Sequence, residues 1–202
     1  MYLSKVKLDL RSASVRQALR DCGDMHRNIQ KFFDASRNDS GVLYRVHRQD
    51  AGCFVYIMSE SEPIETEECI CNGMHVLGCR DVSGMERLFE EGRRFRFQLL
   101  TMPYKKVSDG VSKNSRRRYL RTPEERIAWL QRKGEQHGFQ VLEVEEQAGE
   151  LLNSKHKENV LHIPTVKYSG VLCVTDHEHF VQAWRYGIGA EKAYGLGMLM
   201  VQ

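Results

Sequence analysis

Arg94-Phe95-Arg96-Phe97-Gln98-Leu99-Leu100 alternates polar and apolar residues with a period of two, the signature of a strand with one buried face. Its downstream helix carries its own start signal. Thr122 and Glu125 form a capping box, Pro123 takes the first helical position, and Ile127, Trp129 and Leu130 supply an apolar side. Gly134 or Gly138 is expected to end that helix. Strands are expected at 140–144 and 165–175, followed by a helix from Asp176 through Phe180, Val181 and Trp184 to Tyr186 and a last strand at 198–201. The resulting order, strand-helix-strand-strand-helix-strand, is that of a ferredoxin-like unit.

The first half opens in the same way. A strand over 2–10 precedes a helix that Ser12 or Ser14 can cap, with Val15, Ala18, Leu19 and Cys22 as its buried stripe. Two strands, 42–48 and 53–59, are joined through Gln49-Asp50-Ala51-Gly52, a turn composition. Tyr44, Phe54 and Tyr56 lie on these strands without an RNP-type signature, so packing and base stacking both stay open for them. Residues 60–92 are not determined by pattern, and 81–91 reads equally as a short helix or as a strand and turn. The expected fold is α+β, two tandem ferredoxin-like (RRM-like) βαββαβ domains at 1–91 and 92–202.

With 202 residues, 41% of them hydrophobic, the chain can build cores of that size. No run approaches the 18 or so apolar residues of a membrane span, and Met1 to Leu10 alternates like a strand rather than a signal peptide, so a cytoplasmic protein is expected. In that compartment Cys22, Cys53, Cys69, Cys71, Cys79 and Cys173 are expected as reduced thiols. Cys69, Cys71, His75 and Cys79 could supply metal ligands, but the C-x-C spacing disfavours zinc, and neither metal nor cofactor is expected.

The net charge is only +3, so an anionic partner must meet a local patch. Between Tyr104 and Lys133 there are ten Lys/Arg (105, 106, 113, 116, 117, 118, 121, 126, 132 and 133) against three Asp/Glu (109, 124 and 125). Arg116-Arg117-Arg118 sits among Ser108, Gly110, Ser112, Asn114 and Ser115, a composition suited to ordering on a phosphate backbone. This is read as a nucleic-acid grip, for structured RNA rather than general duplex, with a solvated basic loop as the plain alternative.

Gly187, Gly189, Gly195 and Gly197, with Lys192 among them, match neither a dinucleotide fingerprint nor a P-loop. They read either as a helix cap and tight connection or as a backbone surface for a phosphate chain. Gly23 and Asp24 interrupt a helix just before His26. In an unbroken helix His26 would join the stripe of Met25, Ile29, Phe32 and Phe33 as a core histidine. If Asp24 caps a new helix, His26 and Arg27 fall in its first turn, where free N–H groups attract phosphate and favour a neutral imidazole base, and Lys31 can neutralise a phosphate.

Several segments, in order and spacing, extend this reading: Met1-Tyr2-Leu3-Ser4-Lys5-Val6, Met25-His26-Arg27, Leu43-Tyr44-Arg45-Val46, Arg94-Phe95-Arg96-Phe97, Ile127-Ala128-Trp129-Leu130, Tyr168-Ser169-Gly170-Val171-Leu172 and Gly187-Ile188-Gly189 through Gly197-Met198-Leu199. Together they resemble the CasE family, CRISPR-associated endoribonucleases that process repeat RNA in type I-E systems. The resemblance implies a protein that binds the CRISPR repeat RNA hairpin, cuts at the base of its stem without metal, and stays on its product with other subunits of the type I-E surveillance complex. It implies His26 as general acid or base, and RNA contacts from Arg27, Lys105, Lys113, Arg116, Arg117, Arg118, Arg121 and Lys192 and from Gly187, Gly189, Gly195 and Gly197. Some relatives carry a tyrosine where this chain has Gly23, which leaves Lys31, Tyr168 and Tyr194 as candidates for a second proton-transfer residue; Lys31 is preferred. A non-catalytic RNA-binding subunit is the alternative.

Overall fold

In the computed structural model the described residues are 1–33, 41–49, 52–107, 116–156 and 159–202. The first half runs β1 (Tyr2–Leu8), α1 (Ala13–Ala18), α2 (Cys22–Gln30), β2 (Leu43–Gln49), β3 (Gly52–Ser59), α3 (Glu67–Cys71) and β4 (Met74–Asp81). A 3-10 turn over Ser83–Leu88 follows β4, which settles the undetermined stretch as helix, strand and turn. The second half runs β5 (Arg94–Thr101), β6 (Tyr104–Val107), β7 (Arg116–Tyr119), α4 (Pro123–Gln136), β8 (Phe139–His156), β9 (Asn159–Val174), α5 (His177–Tyr186) and β10 (Leu199–Val201).

Each half builds one antiparallel sheet, ordered β2-β3-β1-β4 and β10-β5-β9-β8. Counted within its own half, each sheet has the order fourth-first-third-second, the ferredoxin-like topology expected from the two cycles. β6 and β7 pair as a separate ribbon inserted before α4. We propose that the domain boundary falls near 91/92, in the connection from Asp81 to Arg94. The cores do not respect that cut, because Phe89, with no exposure, packs edge-on against Phe95, Phe180 and Trp184 of the second half. Leu43 and Met58 join the same cluster, so the first sheet docks on the second domain's core.

The main departure from sequence expectation is the length of β8 and β9. The sequence pattern predicts strands only over 140–144 and 165–175, yet Gly149 and Pro164, residue types that weaken a strand interior, are absorbed by a register shift between Ala148 and Leu151, where Thr165 Oγ1 donates to the Glu150 carbonyl at 2.7 Å. The ladder continues to the pair His156↔Asn159 and carries the hairpin across to the first domain. Its far end reaches α2, where the Lys155 amide donates to Asp21 Oδ2 at 3.2 Å.

α4 runs through Gly134 and ends after Gln136, with Gly138 in the left-handed region at φ 71°. His137 at this end is partly buried. Its imidazole is pushed down to about 4 by burial, then by Lys133, Lys192 and His179. The unfolded chain takes up that proton near pH 6.5 and the folded chain only near 4, so stability is lost as pH falls through this window. His137→Gln should therefore flatten the loss of stability between pH 7 and 5, measured by urea unfolding at both pH values. An unchanged slope would remove His137 as its source.

Candidate functional site

Asp21, not Asp24, caps α2: Oδ1 accepts from the Gly23 amide at 2.8 Å and the Asp24 amide at 3.4 Å. Gly23 therefore lies inside the first turn, and His26 is the fifth helical residue, in the second turn. Because the dipole effect fades beyond the first turn, the helix-start argument for a neutral imidazole does not carry to His26. Its environment is made instead by Tyr44 of β2. The two rings stack with centroids 6.4 Å apart and planes 15° apart. Tyr44 is 1% exposed, and its hydroxyl lies 2.9 Å from the Ala193 carbonyl and 3.4 Å from that of Cys22. Packing, not base stacking, is thus the use of this aromatic, and it backs His26 with a ring anchored in the other domain.

The glycine loop supplies that anchor. Gly187, Gly189, Gly195 and Gly197 have φ of 75°, 94°, 80° and 87°, all left-handed. Gly187 terminates α5, as the cap reading expects, its amide donating to the Ala183 carbonyl at 2.8 Å. A Cβ on Gly195 would lie 2.8 Å from Tyr44 Cε2, and one on Gly187 would lie 3.0 Å from Leu43 Cδ1. At Gly195 and Gly187 the close approach is therefore partly to the first domain itself, while Gly189 and Gly197 lie against Thr101 and Ile188 of the second. Within the loop Lys192 is partly buried, and burial followed by Lys133 lowers its affinity for a proton. Lys133 is in turn depressed by burial, Arg132 and Lys106. An anion beside these mutually repelling amines would be stabilising.

The basic ribbon shows the same electrostatic frustration. Lys105 faces Arg118 across β6 and β7, and Lys106 faces Arg117. Like charges directly opposite one another destabilise a strand pair unless a counter-charge lies over them. Arg117 pairs with Glu191 of the glycine loop and sits 5.2 Å over the Tyr104 ring, while Lys105 Nζ lies 3.3 Å from Glu125. Arg116 pairs by its backbone with Val107, and Arg121 is exposed between β7 and α4. Lys113 lies outside the described residues.

On α2, Arg27 pairs with Asp24, and Lys31 Nζ lies 2.7 Å from Glu68 of α3. Five residues apart, His26 and Lys31 are about 140° apart around the helix, so the structure directs Lys31 to α3 rather than to the imidazole. Tyr168 is removed from the candidates: it is fully buried, its hydroxyl donates to the Arg126 carbonyl at 3.0 Å, and burial pushes its pKa up. Tyr194, by contrast, lines a cavity of about 280 Å³ with Cys22, Met25 and Tyr44 beside α2. Pattern reading missed the role of Tyr44 and the choice of Asp21 as cap. An aspartate just before a helix is the right signal for a cap, but Asp21 and Asp24 carry it equally.

Cys69 is buried with its thiol 3.3 Å from Thr66 Oγ1, whereas Cys71 is exposed at the end of α3. Among the described residues no group of three or more His, Cys, Asp or Glu is placed to hold a metal.

A histidine beside the junction of two ferredoxin-like domains, and a basic ribbon tied to the glycine loop at that junction, form a surface that suits a polyanion. Comparison with known proteins agrees. The family model described as "CRISPR associated protein" matches residues 1–202, and the chain belongs to that family. It is 27% identical over 226 residues to the CRISPR-associated endoribonuclease Cse3 of Thermus thermophilus, covering 100% of this chain and 99% of that one. It is 28% identical over 214 residues to the CRISPR system Cascade subunit CasE of Escherichia coli, covering 98% of each. Among solved structures, it resembles CRISPR endoribonuclease Cse3 bound to 19 nt RNA with a TM-score of 0.86 and 27% identity over all of both chains. Thermus thermophilus Cse3 bound to an RNA representing a pre-cleavage complex gives a TM-score of 0.82 at 27% identity, covering 100% of this chain and 98% of that one.

Gly195→Ala tests the seam. Strain at positive φ and overpacking against Tyr44 should together cost about 2–4 kcal/mol, read as a fall in Tm on the order of 5–15 °C. Gly78→Ala, where an added Cβ meets nothing within 4 Å, should leave Tm nearly unchanged.

Proposed function

We propose that this protein is a metal-independent endoribonuclease that binds the stem-loop of CRISPR repeat RNA, cuts at the base of the stem, and stays on the product within a type I-E surveillance complex. The supporting observation is the junction at His26. The helix that carries it is backed by Tyr44, Tyr44 is tied to the glycine loop, and the loop is tied to the basic ribbon through Glu191 and Arg117. Both relatives named above belong to CRISPR systems, and the Thermus relative is named an endoribonuclease.

The chemistry needs an oriented ribose, a proton donor or acceptor, and cations at the phosphate. The ribose 2′-oxygen attacks the adjacent phosphorus and loses its proton. The bond from phosphorus to the 5′-oxygen breaks, and that oxygen takes up a proton. The products are a 5′-hydroxyl and a 2′,3′-cyclic phosphate, which opens to a 3′-phosphate when water attacks the phosphorus and the 2′-oxygen leaves with a proton. His26 serves one of the two proton transfers. Arg27 is poised to exchange Asp24 for a phosphate oxygen, because exposed ion pairs contribute little and are readily replaced. Lys31 can assist if it leaves Glu68. The ribbon residues Lys105, Arg116, Arg117 and Arg118, with Lys113, Arg121 and Lys192, hold the RNA backbone, and Gly187, Gly189, Gly195 and Gly197 shape the loop that presents Lys192. No described helix is long and apolar enough to cross a membrane; we assign the protein to the cytoplasm.

One observation favours a second reading, a binding subunit that does not cut. At Gly23 an added Cβ would lie 3.0 Å from Ser154 Oγ and 3.1 Å from Asp21 Oδ1, so the hairpin occupies the place where a larger side chain would start. Incubation of the repeat hairpin with protein in EDTA separates the two. The endoribonuclease gives one cut with a 5′-hydroxyl end. His26→Ala should lower the rate about 100- to 10,000-fold with hairpin affinity nearly intact. Tight binding without a cut in either protein would favour the second reading.

The ribbon makes a separate prediction. Arg118→Ala should weaken hairpin binding and reduce the slope of log Kd against log salt by about 0.7–0.9, one lost phosphate contact. An unchanged slope would place the RNA elsewhere.

A further inference from the structure

Asp21 is 3% exposed, and both of its carboxylate oxygens are used. Oδ1 accepts from two free amides in the first turn of α2, at Gly23 and Asp24, and Oδ2 accepts from the amide of Lys155 at the far end of the β8–β9 hairpin. A single side chain of the first domain thus holds the start of α2 against a strand of the second. An ordinary helix cap uses only the first of these contacts.

The surroundings make this a seat rather than a single bond. Cys22, the next residue, packs with Ile163 and Leu196 of the second domain. Gly23 faces Ser154, itself 5% exposed, across a gap that a Cβ would close to 3.0 Å. Leu152 packs on the same small cluster. The first turn of α2 is therefore set, residue by residue, by the hairpin end. His26 stands one turn further along the same helix, four residues from Cys22 and on the same side.

We infer that Asp21 is a positioning residue for cleavage: its second oxygen fixes the axial placement and rotation of α2, and hence of the His26 imidazole, relative to RNA held by the second domain. This rests on the endoribonuclease reading. Asp21, buried beneath the first turn of α2, acts through His26 rather than on the substrate. The size of the effect follows from how steeply proton transfer and in-line attack depend on geometry, since a misplacement of about 1 Å can cost on the order of 100-fold.

Two variants separate the hairpin contact from the cap. Asp21→Asn keeps an oxygen for the Gly23 and Asp24 amides but turns an NH2 group, a donor, toward the Lys155 N–H. Asp21→Ser keeps a good cap and is too short to reach Lys155. The wild type, both variants and His26→Ala are compared by single-turnover cleavage at saturating protein, by hairpin Kd, and by Tm. The expected result for Asp21→Asn and Asp21→Ser is a cleavage rate lowered about 10- to 100-fold, with Kd within about twofold of wild type. Rates within about twofold of wild type would show that only the cap matters and overturn the inference. A loss of rate matched by an equal loss of affinity would also overturn it, because a general loosening of the interface moves both. If wild type binds but does not cut, or if His26→Ala cuts normally, the endoribonuclease reading or its histidine fails, and this inference fails with it. If His26→Ala is inactive while both Asp21 variants cut normally, only the inference fails.

Discussion

The structure depends on how the second domain reaches over and holds α2. Two contacts make the hold, one from the middle of the second domain's sequence and one from near its end. The hairpin supplies the Lys155 amide to Asp21, and the glycine loop supplies the Ala193 carbonyl to Tyr44. Between them lie Cys22, Ile163 and Leu196, a small apolar cluster drawn from both domains. A histidine on a nine-residue helix would have little fixed orientation by itself, since short helices are marginal without tertiary packing. Here its helix is capped, packed and backed by parts that belong to the other half of the chain.

This arrangement also explains why the glycines are where they are. Their left-handed backbone lets the loop fold back after α5 and pass close to Leu43 and Tyr44 before entering β10. Once seated, the loop holds Lys192 half-buried, and Glu191 reaches the ribbon through Arg117. The nucleic-acid grip and the histidine are thus connected through one loop. Several of the cations involved are paired with acids near the surface, Arg27 with Asp24, Lys31 with Glu68, Lys105 with Glu125. Such pairs keep a strongly cationic surface soluble, and each can be traded for a phosphate at small cost because exposed pairs are worth little.

Much of this was legible from pattern alone. The alternation at Arg94 to Leu100 and the capping box at Thr122 and Glu125 are local signals, and each marks its element correctly. The long hairpin was not legible beyond its inner half, because Gly149 and Pro164 look like breaks unless the bulge that accommodates them is known. His26 was legible as a candidate for the wrong local reason: the cap is Asp21, and the residue that shapes its surroundings is Tyr44, eighteen positions later on a different element.

By itself the sequence determined the two βαββαβ cycles, the concentration of positive charge before α4 and the candidacy of His26, because periodicity, capping chemistry and charge density are properties of neighbouring residues. Only the tertiary structure decided what the glycine loop packs against, which aspartate caps α2, where Lys31 points and that Tyr168 is buried out of reach. Each of those depends on an oxygen, a ring or an amide brought from more than 35 positions away, and no local pattern encodes such a distance.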